Sequence, residues 1–136
     1  PSNWREFPSE NAVQFAPDGA FGDQGITHGV MLGTFKSQNA NLNNGTQEYV
    51  NGILQANAYL RQRNNFQRAY VAGRQGYSTV LAGRSPVTNR NEVVTVYTTQ
   101  LSSGELFYLV TVVPEAEAVR YDNAFRNILG SLRLSE

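Results

Sequence analysis

Apolar residues recur along this chain with two different spacings, and the switch between them marks out the elements. Over residues 47–63, Val50, Ile53, Leu54 and Leu60, supported by Tyr49 and Ala56, fall three or four apart on one stripe, which predicts a helix. The polar run before it, 37–45, leads into Asn44-Gly45-Thr46, whose side-chain oxygens suit the free amides of a helix start. From residue 67 onward the spacing shortens to two, and strands are expected over 67–72, 77–82, 92–100 and 105–113. Gly73-Arg74-Gln75-Gly76, a loop over 83–91 containing Ser85-Pro86, and Leu101-Ser102-Ser103-Gly104 separate them. Strands joined by such short turns pair antiparallel.

The last of these strands is apolar on both faces. Leu106, Tyr108, Val110 and Val112 point one way and Phe107, Leu109 and Val113 the other, so it must be covered on both sides. Pro114 and Glu115 then suit the first turn of a second helix, because proline lacks an amide that this turn cannot satisfy and glutamate complements the helix dipole. Ala118, Tyr121, Phe125, Ile128 and Leu129 continue it at helical spacing, and Gly130 suits its end. Towards the N-terminus, Trp4 and Phe7 with 12–16 read as a short hairpin closed at Pro17-Asp18-Gly19, and 26–35 reads as one strand. The expected fold is α+β: an antiparallel sheet of about six strands with helices on both faces.

Length and charge limit what such a domain does. At 136 residues one core is expected, and eleven acidic against eleven basic side chains give no net field to draw in a nucleic acid or an anionic membrane. With no cysteine there are no disulfides, thiolate nucleophiles or sulfur-built zinc sites. No apolar run approaches the roughly 18 residues of a membrane span, so a soluble chain is expected. The opening Pro1-Ser2-Asn3-Trp4, without an initiator methionine, suggests a fragment of a longer chain.

No motif assembles a catalytic centre. A zinc hydrolase needs two histidines one helical turn apart, a third ligand and a carboxylate base, and His28 is the only histidine. It also lacks the Gly-x-Ser-x-Gly elbow of a serine triad. Glu92 and Glu105, near the ends of adjacent strands, are the one carboxylate pair worth weighing for acid–base work, against plain solvation at strand ends. Asp18 and Asp23 have no calcium-loop spacing. Gly73-x-x-Gly76 links two strands, whereas a phosphate-binding loop leads into a helix. Arg74, Arg84 and Arg90, on loops that related ends of the sheet would bring together, are the candidate contact residues for a small anion or a protein. Seven tyrosines (49, 59, 70, 77, 97, 108 and 121) suit a core whose rim serves an interface.

The Pro1-Ser2-Asn3-Trp4 opening, Gly73-Arg74-Gln75-Gly76-Tyr77-Ser78, Ser85-Pro86-Val87, Gly104-Glu105-Leu106-Phe107-Tyr108, and Phe125 with Ile128-Leu129-Gly130-Ser131-Leu132 together resemble the fold shared by PsbP and Mog1. More narrowly, the chain resembles the module that follows the protease domain in bacterial M48, Ste24-like metalloproteases. That resemblance implies a non-catalytic accessory domain that acts by protein contact or substrate positioning, with the zinc and its His-Glu-x-x-His upstream of Pro1 and no cofactor in this domain. It implies a protein partner, either the parent's protease domain or its substrate, no nucleic acid, no membrane contact from this segment, and a bacterial extracytoplasmic or periplasmic setting. Asn44-Gly45-Thr46 matches a glycosylation sequon, which a bacterial origin makes idle. The alternative is a free-standing extracytoplasmic binding module for a protein or small ligand.

Overall fold

The computed structural model describes residues 5–8, 12–16, 21–22, 25–26, 29–35, 41–63, 65–71, 73–86, 89–101, 104–117, 125 and 127–128; before residue 29 only the backbone is described. In chain order these form β1 (Arg5–Pro8), β2 (Ala12–Ala16), β3 (Phe21–Gly22), β4 (Gly25–Ile26), β5 (Gly29–Phe35), α1 (Leu42–Ala56), β6 (Arg61–Gln62), β7 (Gln67–Val71), β8 (Arg74–Arg84), β9 (Asn91–Gln100) and β10 (Leu106–Pro114), then a 3₁₀ turn at Glu115–Glu117. Eight strands make one antiparallel sheet in the order β1-β2-β5-β10-β9-β8-β6, with β7 also paired to β8, while β3 and β4 pair only with each other.

β10 is the middle of this sheet. It pairs with β9 from Leu106↔Gln100 to Pro114↔Glu92 and with β5 from Leu106↔Phe35 to Val112↔Gly29. Its two faces feed two cores, as its sequence requires. Val110 and Val112 join Val50, Leu60, Leu81, Val94 and Val96 beneath α1. Phe107 and Leu109 join Val30 and Val71 on the opposite face, where Phe125 and Ile128 pack against them. Burying each such side chain is worth roughly 1.5–3 kcal/mol. Of the expected second helix, Phe125, Asn127 and Ile128 have helical backbone, and its remaining residues after 117 lie outside the described residues.

The first helix starts and ends five to seven residues earlier than the apolar stripe predicts. Asn41, not Asn44, caps it: Asn41 Oδ1 accepts from the amides of Asn43 at 2.8 Å and Asn44 at 3.2 Å. Gly45 and Thr46 then lie inside the helix because small residues let it approach the sheet, and both are buried. Thr46 Oγ1 donates to the Leu42 carbonyl at 2.7 Å, and the Thr98 hydroxyl on β9 meets it at 2.7 Å. One turn on, Tyr49 stacks on Tyr108 of β10 at 4.5 Å and meets Phe35 of β5 at 5.4 Å. Asn57 ends the helix by sending both its backbone and side-chain N–H groups to the Ile53 carbonyl, at 2.9 and 3.0 Å. Leu60 still reaches the core, from a turn instead of from the helix.

The hairpin before β8 is also tighter than expected. Val71 pairs with Arg74, so two residues make the turn, and Gly73 takes φ 78°. Gly76 lies within β8, where a Cβ would land on the Thr98 carbonyl oxygen of β9. The two glycines therefore do different jobs, and their replacements separate them. Gly76→Ala should cost about 3 kcal/mol through backbone overlap, against about 1 kcal/mol for Gly73→Ala, which strains φ but meets open space. Urea unfolding of the two variants reads the difference.

Candidate functional site

A buried polar group lies where β8 ends and β9 begins. Ser85 follows the last residue of β8, Glu92 is the second residue of β9 opposite Gly83 and Pro114, and Tyr59 stands in the turn after α1. The Tyr59 phenol donates to Glu92 Oε1 at 2.7 Å and accepts in turn from the Ser85 hydroxyl. Ser85 and Glu92 are both buried. Burial pushes the Glu92 carboxyl above the ordinary glutamate range, opposed by the phenol's hydrogen bond, which favours the carboxylate. Burial and the neighbouring Glu92 raise the Tyr59 phenol as well. The result is a directed relay, hydroxyl to phenol to carboxyl, whose donors are spent on one another.

The carboxylate weighed together with Glu92 in the sequence, Glu105, does not reach this corner. Glu92 lies opposite Pro114 at one end of β10, whereas Glu105 precedes Leu106 at the other, nine residue steps and about 30 Å away. Adjacent strands carry the two glutamates, but at opposite ends of the sheet. Among the described residues no group of three or more His, Cys, Asp or Glu converges to hold a metal. His28, Asp18 and Asp23 lie outside the described residues.

The three candidate arginines separate too. Arg84 closes β8, and its Nε donates to Asn89 Oδ1 at 3.0 Å across a tight loop in which Asn89 takes φ 58°. Arg90 on the same loop reaches Glu117 at 3.3 Å, and nearby Arg63 reaches Glu115 at 3.6 Å. Arg74 opens β8 at the far end of that strand, about 33 Å from Arg84, with Nη1 3.5 Å from the Gln100 carbonyl. The expectation that related sheet ends gather all three therefore fails: Arg84 and Arg90 share a corner, Arg74 does not, and each already holds a partner within the chain.

The tyrosines divide by environment. Tyr49 and Tyr108 are stacked under α1, where burial raises both phenols, and Tyr97 packs against the second core. Tyr121 lies outside the described residues. The Asn44-Gly45-Thr46 sequon is wound into α1 with its threonine buried, a conformation that supports the helix rather than modification. No described helix is long and apolar enough to cross a membrane.

One feature was missed in the sequence. β7 sits at the sheet edge, paired to β8 on one side through Arg68↔Tyr77 and Tyr70↔Gln75, and no described strand pairs with its other side. Val71 turns into the second core. Arg68 and Tyr70 point to the other face, where Phe66 lies 6.1 Å from Tyr77. Tyr70 is 71% exposed, the large apolar side chain that the described residues leave most open. The side chains of Tyr70 and Arg68 have no hydrogen bond, ion pair or ring contact among the described residues. The alternation Phe66-x-Arg68-x-Tyr70 was the available signal, but an aromatic residue in a strand reads as core until its neighbours are placed.

No family model matches the sequence, and no curated protein matches it. Solved structures do. The chain superposes on a protein of unknown function, PA94, from Pseudomonas aeruginosa with a TM-score of 0.59 and 9% identity, over 98% of this chain and 99% of that one. It superposes on LpqN of Mycobacterium tuberculosis, a protein involved in cell envelope biogenesis, with a TM-score of 0.65 and 14% identity, over 100% of this chain and 80% of that one. At these identities the likeness is one of fold.

The Tyr59 relay makes two predictions. Tyr59→Phe strands a buried carboxyl and a buried hydroxyl and should cost about 1–3 kcal/mol in urea unfolding at neutral pH. Because Glu92 binds its proton more tightly in the folded chain, the stability it contributes is full below the ordinary glutamate range and lost as pH rises through its raised folded value. Wild-type urea midpoints should therefore fall relative to those of Glu92→Gln across that window and run parallel to them on either side.

Proposed function

We propose that this chain is a non-catalytic contact domain whose working surface is the open edge of β7. The observation that carries this reading is Tyr70, an amphipathic side chain held 71% exposed beside an uncommitted Arg68 on a strand edge with backbone donors and acceptors to offer. Tyrosine and arginine are the residues that anchor protein interfaces most often. An edge strand takes up an extended partner segment by continuing the sheet, with alternate side chains supplying the selectivity. The polar corner around Tyr59 supports the same reading from the other side, since its hydrogen bonds are consumed in closing the fold.

Two settings follow. In the first, suggested by the resemblance to M48 proteases, the domain is appended to a Ste24-like zinc protease and positions it or its substrate. In the second, it is a free-standing extracytoplasmic module, a setting supported by the cell-envelope role of LpqN, whose fold it shares. The full reading frame decides: an upstream His-Glu-x-x-His is expected in the first setting, and its absence overturns it. Given that protease domain, adding it to the isolated chain should slow amide exchange over residues 67–71, and Tyr70→Ala should weaken the complex by about tenfold. Unchanged exchange at β7 on complex formation would place the contact elsewhere.

A further inference from the structure

We infer that the partner β7 fits is a second copy of this chain, joined edge to edge across a two-fold axis. This rests on the reading of β7 as a contact edge and adds the identity of its occupant. The argument begins with register. If two β7 strands run antiparallel about Ala69, Ala69 meets its own copy, Gln67 meets Val71, and Arg68 meets Tyr70, twice. In such a pair the facing residues project to the same side, with Cβ atoms about 4.5–5.5 Å apart. Each guanidinium then lies over the partner's phenol ring, a cation–π contact that satisfies the two side chains left without partners among the described residues.

The strand is thus complementary to itself, as an isologous interface requires. Charge does not oppose it, because eleven basic and eleven acidic side chains leave the chain without net charge. Nor does β7 carry the usual guards of an edge strand: it has no proline and no lysine, and its one charge is the arginine that the pairing uses. The neighbouring segment of the same edge is different. There β6 pairs Arg61 and Gln62 with β8, and the described ladder resumes at Gln67, so this edge is not one continuous strand. Pairing is confined to the five residues that fit. A strand of that length spans about 17 Å and buries less than the roughly 1,200 Å² of a permanent interface, so the dimer is weak and dissociates on dilution.

Sedimentation equilibrium of the purified chain from about 10 μM to about 1 mM, the range in which so small an interface associates, tests this directly. The wild type should move from monomer to dimer. Tyr70→Lys sets lysine against Arg68 of the other copy and should weaken association by about tenfold or more. Arg68→Glu combined with Tyr70→Lys makes both cross-strand pairs oppositely charged and should recover it, which a merely destabilising change would not do. Both side chains are exposed, and unchanged urea midpoints will show that the variants fold. A wild type that stays monomeric throughout, or a Tyr70→Lys chain that dimerises as well as wild type, overturns the inference. A monomeric chain whose β7 amides are nevertheless protected by a protease domain would overturn self-pairing and leave the contact edge standing.

Discussion

Everything in this fold depends on β10 being buried on every side. A strand with valine, leucine or phenylalanine on both faces and nine consecutive backbone pairs to satisfy is stable only between two other strands and beneath two layers of side chains. β5 and β9 supply the edges. The core below α1 covers one face, and the cluster that includes Phe125 and Ile128 covers the other. Once β10 is placed, the flanking strands follow outward from it, and the outermost ones have least left to bury.

The polar contacts occur where that apolar logic needs closing. Under α1 the helix meets the sheet partly through Thr46 and Thr98 and the stacked Tyr49 and Tyr108, so its position is set by hydroxyl geometry as well as by Val50. At the opposite end of the meander, Ser85, Tyr59 and Glu92 fill a corner where three segments meet. A buried polar contact of this kind favours one arrangement of the segments, because a shift strands a buried group.

Much of this architecture was legible in the residues. The four strands after residue 67, their antiparallel order and the two-faced burial of β10 follow from spacing alone, and the α+β class with them. The ends of α1 were misread for a physical reason: Leu60 belongs to the same apolar core whether it arrives on a helix or from a turn, and periodicity does not distinguish the two. Gly76 reads as a turn residue because nothing local reveals that the Thr98 carbonyl crosses it. The arginine loops failed similarly, since Arg74 and Arg84 are ten residues apart in what proved to be a single long strand. Tyr70 stands out from the other tyrosines only in the fold, because exposure is a property of neighbours, and the sequence does not name them.

The pairing of β5 with β10 has a consequence for the order in which the chain is made. β7 to β10 form a run of local hairpins that closes as soon as each strand is available, but β5 waits for a partner roughly seventy residues downstream. At synthesis rates of about 5–20 residues per second that interval lasts roughly 4–14 s, during which the edge of β5 and its Val30 side chain have no native cover. The N-terminal strands are thus a nascent half-sheet in need of protection, and the maturing C-terminal meander is what eventually releases them from it.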